Sequence, residues 1–328
     1  MLKTLFFGSS VYSLPILESL HKNTKICAIL TQPDKPVGRH HTMTPTPIKI
    51  FGQTHGVPVY TPRNKNELLD LTDTLKELKP DIAVVASYGL IIPETIFTIP
   101  KFQTLNIHFG KLPKYRGASP VQWSVAGGEK SIPITIFQMD IGLDTGPIVW
   151  EKDVPVSGPD TAPEIFVKMF TVMGEELPGV LTGYIDNKLK PVPQKNTESL
   201  TTKQFSRSDG FIPWELLKTV LSESSSTIES SKLLNNQDSK LLSPVFLYSL
   251  KNCDTVASAI SRLWRALAPW PGLWTEIKLV HDPIRKRMKI LNVHLENSAK
   301  LVIDEVQLEG KKPVSWNQFL SGYPDIFD

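Results

Sequence analysis

Thr104–Gly146, TLNIHFGKLPKYRGASPVQWSVAGGEKSIPITIFQMDIGLDTG, is the stretch from which the fold can be read. It opens on a short apolar run, Thr104–Ile107, of strand length, which delivers Asn106 and His108 at its carboxyl end. Gly110, Pro113 and Gly117 turn the chain, and Ala118–Ala126 reads as a short helix. The β-branched run Ile132–Met139 is a second strand, leading into the turn Asp140–Gly146. Open parallel sheets carry their reactive groups just past the carboxyl ends of strands. On this reading Asn106, His108 and Asp144 all stand where such folds do chemistry.

The three side chains suit acyl transfer without a covalent intermediate. His108 alone among them exchanges a proton near neutral pH without a large pKa shift. The Asn106 amide is a neutral donor for an oxygen that gains charge as a carbonyl becomes tetrahedral. Asp144 can fix the tautomer of His108 or hold a water that relays protons. Taken singly, each residue also reads blandly, as a capping Asn, a core His and a turn Asp.

Upstream, the pattern is that of a doubly wound, mostly parallel α/β sheet. Lys3–Gly8 is a buried first strand, Ser9-Ser10 caps an apolar-periodic helix running to about Leu20, and Lys25–Thr31 is a second strand. The first turn, Gly8-Ser9-Ser10-Val11-Tyr12, lacks G-x-G-x-x-G, so a nicotinamide cofactor is not expected. Pro47–Gly56 reads as a helix, Val57–Thr61 as a strand, Asn64–Leu78 as one helix, and Asp81–Ser87 as a strand covered on both faces. Tyr88–Pro93 turns at the same sheet edge. Beyond Gly146, Pro147–Val154 is a strand, and Thr161–Leu177 a helix packing Ile165, Phe166, Met169, Phe170 and Met173 into the core.

Between the second strand and the following helix lies Thr31–Lys49, with four prolines, a glycine and the basic side chains Lys35, Arg39 and Lys49. It reads as a loop without regular structure, a basic finger on the side of His108 that engages a nucleic-acid backbone. His40-His41 has no carboxylate or cysteine at ligand spacing, and no metal is expected.

Lys190–Lys195 (KPVPQK) reads as a linker, which gives domains 1–189 and 196–328. A serine-rich stretch at about 222–250 has weak periodicity and is read as a partly flexible insertion. Ser258–Leu267 is a short helix in which Arg262 and Arg265 flank Trp264. Short strands follow in the manner of a small barrel. Between Lys278 and Lys289, five basic residues, Arg285, Lys286 and Arg287 among them, face the single acid Asp282, a charge density sufficient for phosphate contacts.

The 328 residues carry a formal net charge of only +3, so a polyanionic partner must be argued from such local patches. Two distant cysteines, Cys27 and Cys253, read as reduced thiols of a cytoplasmic protein. Neither a signal segment nor a membrane-length apolar run is visible, and a cytoplasmic protein with no membrane contact, working as a monomer, is expected.

N-I-H, L-P-x-Y-R-G, P-x-Q and T-I-x-x-M-D-x-G-x-D-T-G, strung over about forty residues, resemble the 10-formyltetrahydrofolate-dependent formyltransferase family. The resemblance implies a Rossmann-like catalytic domain, an oligonucleotide-binding (OB-like) barrel at the C-terminus, and Asn106, His108 and Asp144 as the catalytic three. It further implies folate contacts from Gly110, Lys111, Leu112, Pro113, Tyr88, Leu90, Ile91 and Asp140. Gly110-Lys111 stands where the family has Ser-Leu, and the Lys111 ammonium is expected to run out to water along its aliphatic stem. T-Q-P-D-x-P-x-G-R…P-x-P-x-K and the closing Glu309-Gly310-Lys311-Lys312-Pro313-Val314-Ser315 point to initiator methionyl-tRNA as the acceptor, with Lys35, Arg39, Lys49, Arg285, Lys286 and Arg287 on the RNA. Other acceptors of the family, an amino sugar or a nucleotide, hydrolysis of the formyl-folate, and a non-catalytic folate- or RNA-binding relative are the alternatives.

Overall fold

The computed structural model describes residues 1–38, 41–195, 199–222, 228–234, 240–279, 284–297 and 300–327. The chain forms two compact units: residues 1–120, 131–155 and 166–201 make the first, and 121–130, 156–165 and 202–328 the second.

The first unit starts with β1 (Lys3–Gly8), whose side chains from Thr4 onward are buried. Ser10 accepts the N–H of Tyr12 and starts a short 3-10 turn, after which α1 (Leu14–Asn23) buries Ile16, Leu17 and Leu20. β2 (Lys25–Leu30) lies parallel to β1. The Thr31–Lys49 stretch is not irregular throughout: β3 (Lys35–Val37) and β4 (Thr42–Thr44) pair as an antiparallel hairpin. All six strand residues are exposed, so backbone pairing rather than apolar burial defines it, and such pairing leaves no hydrophobic pattern to read.

α2 (Pro47–Thr54) and β5 (Val59–Tyr60) follow. The expected single helix over Asn64–Leu78 is two, α3 (Lys65–Asp70) and α4 (Thr72–Glu77), separated at Leu71. Leu68 and Leu75 are nevertheless both buried. β6 (Ile82–Ala86), α5 (Glu94–Phe97), β7 (Thr104–His108), β8 (Tyr115–Gly117), β9 (Ser131–Gln138), β10 (Ile148–Pro155) and, from Phe166 on, α7 (Ala162–Ile185) complete the series, while α6 (Pro120–Gly127) belongs from Val121 on to the second unit.

The main sheet has seven strands in the order β10-β9-β7-β6-β1-β2-β5. The five from β7 to β5 are parallel, while β9 and β10 are antiparallel to their neighbours. The order reverses between β1 and β6, the switch point at which doubly wound sheets open a crevice beyond their strand ends. There Ser9 donates its N–H to the Ser87 carbonyl (3.1 Å) and its hydroxyl to the Tyr88 carbonyl (2.9 Å). α7 lays Phe170 on Phe109 (ring centroids 3.9 Å) and Phe166 on Tyr12 (5.3 Å), the core packing anticipated for this helix.

The short strand β11 (Leu200–Thr202) closes the first unit; in the second, α8 (Trp214–Ser222), α9 (Ser230–Leu234), α10 (Pro244–Lys251) and α11 (Val256–Leu267) precede the strands β12 (Leu273–Ile277), β13 (Lys286–Glu296), β14 (Lys300–Leu308) and β15 (Val314–Ser315), with α12 (Trp316–Gly322) after them. The four strands form an antiparallel sheet in chain order, the sheet of the small barrel-like domain anticipated here. α11 buries Val256, Ala259, Ile260, Leu263 and Leu267 along one stripe. Within the serine-rich stretch, α10 buries Val245, Phe246 and Leu250, so its C-terminal part is core. Arg262 and Arg265, which flank Trp264, are spent on the backbone, donating to the carbonyls of Asn252 and Asp160.

Candidate active site

Asn106 and His108 are two residues apart on β7 and therefore share one face of the sheet. The strand lies between β6 and β9, with Asn106 opposite Val85 and Phe137 and His108 opposite Thr135. His108 is buried, edge-on to Phe137, and its Nε2–H donates to the Tyr115 carbonyl at 2.7 Å. Its Nδ1 faces Asp144 Oδ2 at 3.6 Å, too long for a hydrogen bond and short enough for strong attraction to an imidazolium. Burial pushes the imidazole pKa down; the Asp144 carboxylate and the Tyr115 carbonyl oppose this. Asn106 is half-buried, and its amide makes no hydrogen bond among the described residues.

Asp144 reaches His108 by a different route from the one expected. β9 runs antiparallel to β7, so its carboxyl end lies beside the start of β7, with Gln138 opposite Leu105. The 139–147 loop must return along the sheet to bring Asp144 to the far end. Its base is pinned where Met139 donates to the Thr104 carbonyl (2.9 Å) and Gln138 to the Pro147 carbonyl (3.0 Å). Gly146 lies against the strand so closely that a Cβ would stand 1.7 Å from the Gln138 carbonyl oxygen. Asp144 itself has φ +52°, a left-handed conformation that Asp tolerates better than most residues. Its Oδ2 accepts the Gly117 N–H at 2.8 Å, which aims the carboxylate at the imidazole.

Sequence reasoning missed Gln194. The 190–195 segment, read as a linker, is bonded into the first unit: Val192 and Ile148 exchange backbone hydrogen bonds at 2.8 Å. Gln194 Nε2 donates to the carbonyls of Asp144 (2.9 Å) and Gly146 (2.8 Å), and its Oε1 accepts Nε (3.1 Å) and Nη2 (2.7 Å) of buried Arg116. Arg116 was visible only as part of L-P-x-Y-R-G, and nothing in KPVPQK signals a long-range partner.

The residues expected at the folate divide. Gly110 sits beneath His108: a Cβ there would stand 2.6 Å from Pro120 Cβ and 3.2 Å from His108 Nε2. Its carbonyl takes a hydrogen bond from the buried Thr135 hydroxyl at 2.9 Å. Leu112 is buried, Pro113 half-buried, and Lys111 exposed as anticipated. Tyr88 packs its ring in the core, edge-on to Phe7, where burial raises its phenol pKa, and its carbonyl is held by Ser9 and Gln32. Leu90 is half-buried; Ile91 is 79% exposed, as are Ile141 (84%) and Leu143 (59%) on the Asp144 loop, an unusual display of apolar side chains. The Asp140 carboxylate is occupied within its own loop by the Gly142 N–H and the Thr145 hydroxyl.

Of the basic residues expected at RNA, Lys35 is exposed on the β3–β4 hairpin, while Lys49 is ion-paired to Asp34 at 2.8 Å. Arg39 lies outside the described residues. In the second unit Arg285 is exposed, Lys286 and Arg287 are half-buried at the start of β13, and the Arg287 guanidinium stacks 4.6 Å over Trp274. Among the described residues there is no group of three His, Cys, Asp or Glu able to hold a metal ion, and no helix long and apolar enough to cross a membrane. Cys27 and Cys253 are free thiols whose pKa values burial raises.

The fold is a mostly parallel, doubly wound α/β sheet with a buried imidazole–carboxylate pair at the end of β7. The chain belongs to the formyl transferase family, whose sequence profile matches residues 2–181. Among similar proteins is the methionyl-tRNA formyltransferase of Trichodesmium erythraeum, 31% identical over 98% of this chain and 96% of the relative. That of Dictyoglomus thermophilum is 30% identical over 98% and 97%. The solved methionyl-tRNA formyltransferase from Clostridium thermocellum shares the fold, with a TM-score of 0.55 over 94% of this chain and 99% of that one at 16% identity.

Proposed function

We propose that this enzyme transfers the formyl group of 10-formyltetrahydrofolate to the α-amino group of methionine carried on initiator tRNA. The observation that carries the reading is end-to-end similarity to relatives that bear that name, at 30% identity or slightly more. The site supplies the chemistry. The neutral amine attacks the formyl carbon, and the oxygen that becomes anionic is received by the Asn106 amide and the protonated His108 ring. Because Asp144 lies 3.6 Å from Nδ1, it holds the imidazolium by charge without taking its proton, which stays available to the departing folate nitrogen. Asp144 then accepts the proton shed by the amine, directly or through water. The exposed Ile91, Ile141 and Leu143 form apolar walls for the folate, and Lys35, Arg39, Arg285, Lys286 and Arg287 meet tRNA phosphates. We place the enzyme in the cytoplasm as a monomer.

The test combines the purified protein, 10-formyltetrahydrofolate and methionyl initiator tRNA, and measures N-formylmethionyl-tRNA by acid-gel or mass analysis. Turnover that requires both substrates is expected. Folate hydrolysis without transfer, or transfer to an amino sugar or a nucleotide amine in preference to the tRNA, would overturn the reading.

A further inference from the structure

We infer that Gln194 is a positioning residue for the Asp144 loop, and that the 190–195 segment is part of the framework of the site. A primary amide has two donor and two acceptor sites, and all four are used here: two N–H groups on the carbonyls of Asp144 and Gly146, and one oxygen on two N–H groups of Arg116. The orientation is unambiguous. Turning the amide over would set its NH2 against guanidinium donors and its oxygen against two carbonyls.

The two carbonyls it grips bracket the point where the loop needs help. Asp144 holds a left-handed conformation, and Gly146 is pressed against the Gln138 carbonyl. The loop is otherwise fixed at its base, at the Gly117 N–H, and by bonds within itself, while its tip at Ile141 and Leu143 stands in solvent. Gln194 is thus the side chain that ties the backbone of Asp144 to buried Arg116, the residue just before Gly117, on whose N–H at the end of β8 the carboxylate rests. Losing it frees the loop to drift, and a displacement of about 1 Å at a reacting group costs up to about a hundredfold in rate.

The inference rests on reading His108 and Asp144 as the reacting pair, and the test separates the two. Gln194→Glu keeps the acceptor for Arg116 and removes both donors to the loop; Gln194→Ala removes everything. The imidazole of His108 is titrated by NMR in the substrate-free protein, with and without Asp144→Asn, in wild type and in each variant. In wild type, Asp144→Asn lowers the titration midpoint by removing a carboxylate. In Gln194→Glu and Gln194→Ala that lowering shrinks by half or more, because the carboxylate is no longer held against the ring. In turnover, kcat falls by about tenfold to a hundredfold while KM for the formyl donor changes less than twofold. A purely structural role predicts that Gln194→Glu, with its bond to Arg116 intact, behaves as wild type. Full retention of the Asp144→Asn effect in either variant overturns the inference. An inactive wild-type protein overturns the proposed function and leaves the titration to decide on Gln194.

Discussion

The two arms of the candidate site are built in opposite ways. Asn106 and His108 stand on β7, a strand paired on both sides, where each backbone group is fixed by the ladder and the alternation of side chains decides which face they take. Asp144 stands in a loop that runs back along an antiparallel strand pair, with a left-handed residue, a glycine without room for a methyl group and a glutamine from fifty positions downstream holding it. One arm is placed by periodic structure and the other by individual long-range bonds. Damage to the first should remove chemistry with the fold intact, whereas the second offers several independent places where geometry can be lost.

The largest effect expected is on the strand arm. His108→Ala removes the one near-neutral proton carrier, and formyl transfer should fall by about 10²–10⁴-fold in kcat with tRNA affinity, measured by filter binding, unchanged. On the loop arm, Gly146→Ala drives a Cβ into the Gln138 carbonyl and must displace the loop. A loss of transfer of about a hundredfold is expected, comparable to Asp144→Asn. If Gly146→Ala retains wild-type kcat, the loop is not the element that places Asp144.

A smaller effect, on stability, is expected at Gly110. Gly110→Ala sets a methyl 2.6 Å from Pro120 Cβ, and overpacking of this kind costs about 1–3 kcal/mol, to be read as a lowered denaturation midpoint in urea. Lys111→Leu, one residue on, should change neither stability nor either KM appreciably, because the ammonium already lies in solvent. A salt-sensitive, severalfold rise in KM would show that Lys111 reaches a substrate.

The same contrast explains what could be read in advance. The apolar runs that became β1, β2, β6, β7 and β9 are buried-strand signals, and burial makes them legible. Their direction is not. Nothing in Ile132–Met139 states that β9 runs antiparallel to β7, so the route by which Asp144 comes to lie 3.6 Å from His108 was misjudged. The β3–β4 hairpin escaped for the related reason that its side chains are all exposed. Gln194 escaped because its partners are backbone carbonyls about fifty positions away, which leave no trace in the local composition of a proline-rich segment.

Burial also links His108 to stability. Its folded-state pKa is depressed, so the unfolded chain binds a proton more readily than the folded one. The stability that follows is present above the unfolded value of about 6.5 and is lost as pH falls through the folded value. Urea denaturation midpoints should therefore drop on acidification below about pH 6.5, less steeply in His108→Gln. Equal slopes in the two proteins would mean that other groups govern acid sensitivity.

The central claim is that strand and loop meet as one electrostatic pair, and titration of the His108 ring by NMR in wild type and Asp144→Asn tests it most directly. The account predicts a wild-type midpoint below the ordinary imidazole value of about 6.5 and a lower one still in Asp144→Asn, since burial remains while the carboxylate charge is gone. A midpoint that does not move, or that rises, on Asp144→Asn would contradict it.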